Sequence, residues 1–209
     1  MGVKHNTSHD YSASYSPSTT TIFGVFALVA VFGWTVTVVL NAIHYFAIPA
    51  IPPDAPVQGS ISVITSEWAY VFGIPLATLG SAYYLTTLGL ALWWFDTRHP
   101  LIIKILTPIT VTGVLASAYF VWLQLVPIGA ICPFCMMSAA ASTTLLVLEL
   151  AILWLNDTPP LTEMLPELKT VVAQTRYSLV VVPVLAGALT ILGLYSVTYL
   201  PLPDPVPFV

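Results

Sequence analysis

The two cysteines of this chain fall in one four-residue run, Cys132-Pro133-Phe134-Cys135. Thiols three positions apart can close and reopen a disulfide. That is a reversible two-electron reaction, carried by a thiolate and passing through a mixed disulfide. Proline is tolerated at the first position of a helix, where its missing N–H costs nothing. Cys132 is then the expected cap residue, with both sulfurs at the positive end of the helix dipole. Such a field favours the thiolate, and Phe134 supplies an apolar wall between the two sulfurs. A zinc site wants four ligands. The four histidines His5, His9, His44 and His99 lie in the leading tail, the first apolar run and a later loop, none placed near Cys132 by sequence. A purely structural disulfide remains the plainer alternative. It is weakened because so short a loop removes little chain entropy.

The surroundings of the pair decide what it exchanges electrons with. The 209 residues are 57% hydrophobic and only 7% charged, against roughly 25% charged in soluble domains. The mean hydropathy is +0.91. This is the composition of an integral membrane protein. A net charge of −4 argues against nucleic acid as a partner, which needs a basic surface. A spanning helix takes about 20 apolar residues, and five segments qualify, near 21–48, 70–95, 102–126, 132–155 and 178–199. Helices are expected because lipid offers no partner for free backbone groups. The fold class expected is all-α.

Five spans place all five basic residues, Lys4, Arg98, Lys104, Lys169 and Arg176, on one side. By the positive-inside rule that side is cytoplasmic. The N-terminus is then inside, and the CPFC run opens on the outer face of the cell membrane, the oxidising side in a prokaryote. Residues 1–20 are polar, with no early basic-then-apolar pattern of a signal peptide, and read as a disordered tail. The membrane domain covers 21–199. Its outer loop, 49–69, is Pro-rich in its first half, and 60–72 is apolar enough for a short surface helix. Inner loops are expected at 96–104 and 156–176, and a Pro-rich outer tail at 200–209. A lipid-soluble quinone is the natural two-electron partner for thiols at a membrane surface. Tyr119, Phe120 and Trp122 lead toward the cysteines, and Tyr83 and Tyr84 lie in the second span. Each aromatic residue alone is more often packing or an interface anchor. Their convergence on the redox pair would make a pocket.

An ordered set of motifs carries a resemblance. It runs Ser60-Ile61-Ser62-Val63-Ile64-Thr65-Ser66-Glu67-Trp68-Ala69, then Phe72-Gly73-Ile74-Pro75, then Gly80-x-x-Tyr83-Tyr84, then Cys132-x-x-Cys135. With five spans, this resembles the vitamin K epoxide reductase family, in its bacterial and archaeal form, over residues 21–199. The resemblance implies a four-helix bundle around a quinone, of ubiquinone or menaquinone type, with one peripheral helix. It implies that Cys135 faces the quinone while Cys132 exchanges with a thioredoxin-like redox protein. It also implies Trp68, Phe72, Leu76, Tyr83, Phe120 and Gln124 as quinone neighbours, and Ser66 as a polar group near the reactive sulfur. The helix around Ser66 and Trp68 would cap the site.

Two positions depart from the family pattern. The animal members carry a tyrosine four residues after the second active cysteine, where this chain has Ala139. Members usually carry two further cysteines in the first outer loop, which relay electrons to the active pair. One of them aligns with Ser60, and no cysteine lies around residues 54–57. Either the protein meets its partner without a relay, or Ser60 stands in place of a cysteine. The expected activity is a thiol–quinone oxidoreductase supporting disulfide formation outside the cytoplasm. The alternatives are a vitamin K epoxide or quinone reductase of a eukaryotic lumen, a four-span quinone oxidoreductase of another family, and a non-enzymatic membrane subunit. A transporter should hold ionisable residues within its spans, and Glu149 and His44 are the few candidates, both toward helix ends.

Overall fold

A computed structural model describes residues 15–47 and 59–156 of the chain. The expected fifth span, most of the 156–176 loop, the C-terminal tail and the Pro-rich half of the outer loop lie outside the described residues. Among the described residues there are four long helices, α1 (Pro17–Ala42), α3 (Leu76–Thr97), α4 (Pro100–Leu123) and α5 (Pro133–Leu155), with a short α2 (Ser60–Ile64) between the first two. Three helices among the described residues are long and apolar enough to cross a membrane: Pro17–Tyr45, Pro100–Ile128 and Pro133–Leu155. The expected second span is helical only from Leu76 and is 22 residues long. Its Tyr, Thr, Ser and Trp content keeps it less apolar than the other three.

The helix starts follow local chemistry. Ser16 caps α1 by accepting the Ser18 N–H, ahead of Pro17 at the first helical position. Helix α1 thus begins inside the stretch expected to be a tail. His99 caps α4 through the Leu101 N–H, ahead of Pro100. Arg98 takes the left-handed conformation (φ 52°) that ends α3. Only Arg98 and His99 separate α3 from α4, so the loop expected at 96–104 is mostly helix.

The apolar run after Ser60 departs from the expected surface helix. Helix α2 ends at Ile64, a 3-10 turn follows at Glu67–Ala69, and β1 (Tyr70–Val71) pairs antiparallel with β2 (Ile74–Pro75). The all-α expectation therefore needs one small hairpin added. Its turn is made by Phe72 (φ 51°) and Gly73 (φ 77°), both left-handed, the geometry that two-residue hairpins require.

Helix α1 packs against α3 and α5, and α4 against α3 and α5. The interior falls into two clusters. One, at the Arg98 end, centres on Phe23 stacked on Trp94 with ring centroids 3.8 Å apart. The Arg98 guanidinium lies 4.5 Å over the Trp94 ring and donates to Thr20 Oγ1 at 2.6 Å. The other cluster, at the cysteine end, gathers Val36, Leu40, Val63, Ile64 and Cys132. A polar chain also joins α1 to α3. Asn41 Nδ2 donates to Ser81 Oγ at 3.0 Å, and Ser81 to Thr37 Oγ1 at 3.0 Å. In lipid such contacts contribute about 0.6 kcal/mol each, and small residues let helices approach. Gly33 does so here, since its α-carbon lies directly against the buried Tyr84 ring. Outward, Trp154, Leu115 and Val126 are exposed, as expected of side chains that face acyl tails.

Candidate functional site

Cys132 is the N-cap of α5, in extended conformation with Pro133 at the first helical position. Its Sγ accepts the Cys135 N–H at 3.2 Å, and its carbonyl accepts the Met136 N–H at 3.1 Å. A thiol thus fills the place a serine or aspartate side chain usually takes. The backbone of Cys132 is held as well. Its N–H donates to Gln124 Oε1 at 2.8 Å, and Gln124 Nε2 donates to the Phe120 carbonyl at 3.3 Å. Gln124 reaches Cys132 because α4 does not end as an α-helix. It widens into a π-turn over Gln124–Ile128, a departure frequent at functional sites.

Cys132 is fully buried, and Cys135 is half-buried. The Cys132 thiol is pulled down to about 6 from an ordinary value near 9. The largest cause is the hydrogen bond from the Cys135 thiol. Burial opposes it, and the Cys135 N–H, the Ser60 hydroxyl and the Phe134 N–H add to it. Ser60 therefore sits against Cys132, where its hydroxyl donates to the sulfur.

The titration has a definite sign. Ultraviolet thiolate absorbance of the reduced protein should rise through pH about 6 and not near 9. Ser60→Ala should move that midpoint upward. Because the folded value is depressed, ionised Cys132 adds stability that is complete above pH 9 and lost as pH falls through 6. A single midpoint near 9 would show that the cap does not activate the sulfur.

Beside the pair lies a cavity of about 710 Å³, within the range of small-molecule sites. Cys135 lines it and Cys132 does not. Of the residues implied as quinone neighbours, Trp68, Leu76, Tyr83, Phe120 and Gln124 line it, and so does Ser66. Phe72 does not. The two left-handed residues of the hairpin throw its ring outward, where it is 101% exposed. The Ser66 hydroxyl, buried, is spent on the Val63 carbonyl at 2.7 Å. Ala139, at the position of the animal tyrosine, also forms part of the wall. Tyr119 and Trp122 are about half exposed and stack on each other, away from the wall.

The phenols are tied to α5. Tyr84 donates to the Ser138 carbonyl at 2.6 Å, and Tyr83 lies 3.4 Å from Ser142 Oγ. Sequence reasoning gives His44 no place in the site, yet it lines the cavity and is 1% exposed. Glu149, a second ionisable residue of the spans, is buried instead against α4, where Thr110 Oγ1 donates to Glu149 Oε2. It takes no part in the cavity wall. Among the described residues no group of three His, Cys, Asp or Glu side chains could hold a metal ion.

The arrangement is a buried thiol hydrogen-bonded to a second thiol that opens on an apolar chamber. That is what a two-electron exchange between protein thiols and a hydrophobic acceptor requires. No curated protein matches the chain. The profile of the vitamin K epoxide reductase family matches residues 24–150, which include the cavity, α2 and both cysteines. With its apolar helices, this chain is a membrane protein of the vitamin K epoxide reductase family.

Proposed function

We propose that the protein is a thiol–quinone oxidoreductase that passes electrons from a thioredoxin-like partner through Cys132 and Cys135 to a lipid quinone. The observation that carries this reading is the division of labour between the two sulfurs. Cys135 stands in the wall of the cavity, and Cys132 is the activated cap beside it. The cavity wall suits a quinone of ubiquinone or menaquinone type: it is mostly apolar, with aromatic faces at Tyr83 and Phe120, and it has the volume for a ring. The quinone is a substrate here, entering and leaving through the lipid, and it accepts two electrons per turnover.

In the net reaction the Cys135 S–H bond breaks and the Cys132–Cys135 S–S bond forms. Cys132 enters as the thiolate; the electron pair and the Cys135 proton go to the acceptor, and one further proton taken up from the surroundings completes the quinol. A partner dithiol then reduces the new disulfide through a mixed disulfide on Cys132. Cys132 is buried under Ser60, Val63 and Ile64, so that exchange requires α2 to move aside. The distribution of Lys and Arg supports an outer-face site, where this flow of electrons makes disulfides in exported proteins. The test is direct. Purified protein is reduced, mixed with a short-chain quinone under argon, and its free thiols are counted. Loss of both thiols with formation of one quinol is the expected result. Thiols that stay reduced while the quinone binds would rule the reading out.

A further inference from the structure

We propose that His44 and Tyr70 form a proton relay that delivers, from the aqueous side, the second proton needed when a quinone is reduced in the cavity. The inference rests on the thiol–quinone reading and supplies what that reading leaves out. Quinone reduction takes up two protons. With Cys132 already a thiolate, the cysteine pair brings only one, on Cys135. The site must import the other.

The wall of the cavity is poor in groups that can supply it. Among the described residues, no Asp, Glu, Lys or Arg side chain lines it. The titratable side chains that do are Cys135, Tyr83, Tyr84 and His44. The two phenols face α5 and are engaged with Ser142 and Ser138. A free phenol titrates near 10, an imidazole near 6.5, so imidazole is the group suited to move protons at neutral pH.

His44 is placed for it. It lies in a π-turn, Ile43–Ala47, that prolongs α1. One turn earlier, Leu40 packs in the cluster that contains Cys132, and Ile43 packs against the same cluster. His44 is therefore at the cysteine end of the cavity. Its Nε2 lies 3.3 Å from the Tyr70 hydroxyl, and the two rings meet edge to face with centroids 5.4 Å apart. The Tyr45 ring flanks it on its own helix, centroids 4.9 Å away. Tyr70 belongs to the hairpin strand β1, is only partly buried, and is not part of the cavity wall. It follows the exposed Glu67 and Trp68. Tyr70 thus links an exposed hairpin to a histidine that faces the chamber.

The step balances in electrons and protons. The Cys132 thiolate and the Cys135 thiol become a disulfide and release two electrons and one proton. His44 gives the second proton from Nδ1 while Nε2 takes one from the Tyr70 hydroxyl, and water restores Tyr70. The sum is one thiolate, one thiol, one quinone and one proton giving one disulfide and one quinol.

The experiment uses the full chain in detergent or nanodiscs with a short-chain quinone. It follows single-turnover thiol oxidation across pH and, separately, quinone affinity by tryptophan fluorescence. His44→Gln should bind the quinone as the native protein does and oxidise its thiols about 100-fold more slowly. Its rate should fall as pH rises, because protons must then come from bulk solution, whereas the native rate stays nearly flat above the Cys132 midpoint. Tyr70→Phe should slow the reaction roughly tenfold with the same change of profile. Added imidazole should restore much of the rate of His44→Ala. A native rate in both His44→Gln and Tyr70→Phe would overturn the relay. So would slow variants with an unchanged pH profile, or a rate loss matched by lost affinity. If the native protein itself fails to oxidise its thiols with quinone, the thiol–quinone reading falls first and the relay with it.

Discussion

Cys135→Ser should reduce quinone-dependent thiol oxidation by at least about 1,000-fold, a loss typical of removing a reacting group outright. Cys135 is the sulfur in the cavity wall, and among the described residues no third thiol can take its place. The variant has a second signature. Cys132 owes the largest part of its acidity to the Cys135 thiol hydrogen bond. Serine can still donate from the same position, so the Cys132 midpoint should rise only modestly. Alanine gives no donor, and Cys135→Ala should move it substantially toward the ordinary thiol value. Stopped-flow quinol formation and thiolate absorbance separate the two effects. Retained turnover in Cys135→Ser would place the reacting sulfur elsewhere.

Gly33→Ala should be the most damaging small substitution in the bundle. A methyl group at Gly33 would collide with the Tyr84 ring, which is 1% exposed and tied through its hydroxyl to Ser138. Overpacking of this kind costs about 1–3 kcal/mol. The damage should also reach the chemistry. Tyr84 is bonded to the Ser138 carbonyl and hydroxyl, and Ser138 lies one turn beyond Cys135. A displaced Tyr84 would therefore disturb the first turns of α5. Gly24→Ala is the control, because a methyl there meets nothing within 4 Å. Thermal unfolding in detergent should separate the two. Equal stability of both variants would mean that α1 and α3 do not meet at Gly33 and Tyr84.

Much of the site is legible in the amino-acid sequence. Proline directly after the first cysteine marks a helix start, and a thiol three residues on must share its first turn. The structure shows that turn at Cys132–Cys135. The long apolar runs are legible as helices for a similar reason, composition over a span of lipid thickness. What periodicity and composition do not carry is local backbone geometry. The apolar stretch 70–75 reads like the opening of a helix, yet two left-handed residues fold it into a hairpin. That change sends Phe72 outward and brings Tyr70 to His44. In the sequence His44 is a lone polar residue near a helix end. The π-turn at Ile43–Ala47 departs from the α-helical phase by which its facing would be judged. Gln124 is expected in the wall of the cavity, and it is there. Its bond to the Cys132 N–H spans eight positions and follows from no periodic pattern.

The π-turn at Gln124–Ile128 has a consequence for how this chain can vary. It closes with one residue more than an α-turn would. Deleting a single residue there would restore ordinary winding and remove the widened turn that brings Gln124 to the Cys132 amide. The amide of Cys132 would lose its acceptor, and with it the tie that holds the start of α5 to the end of α4. Insertions and deletions of one codon in this stretch should therefore be far less tolerated than almost any substitution in it, making its length the feature under tightest constraint.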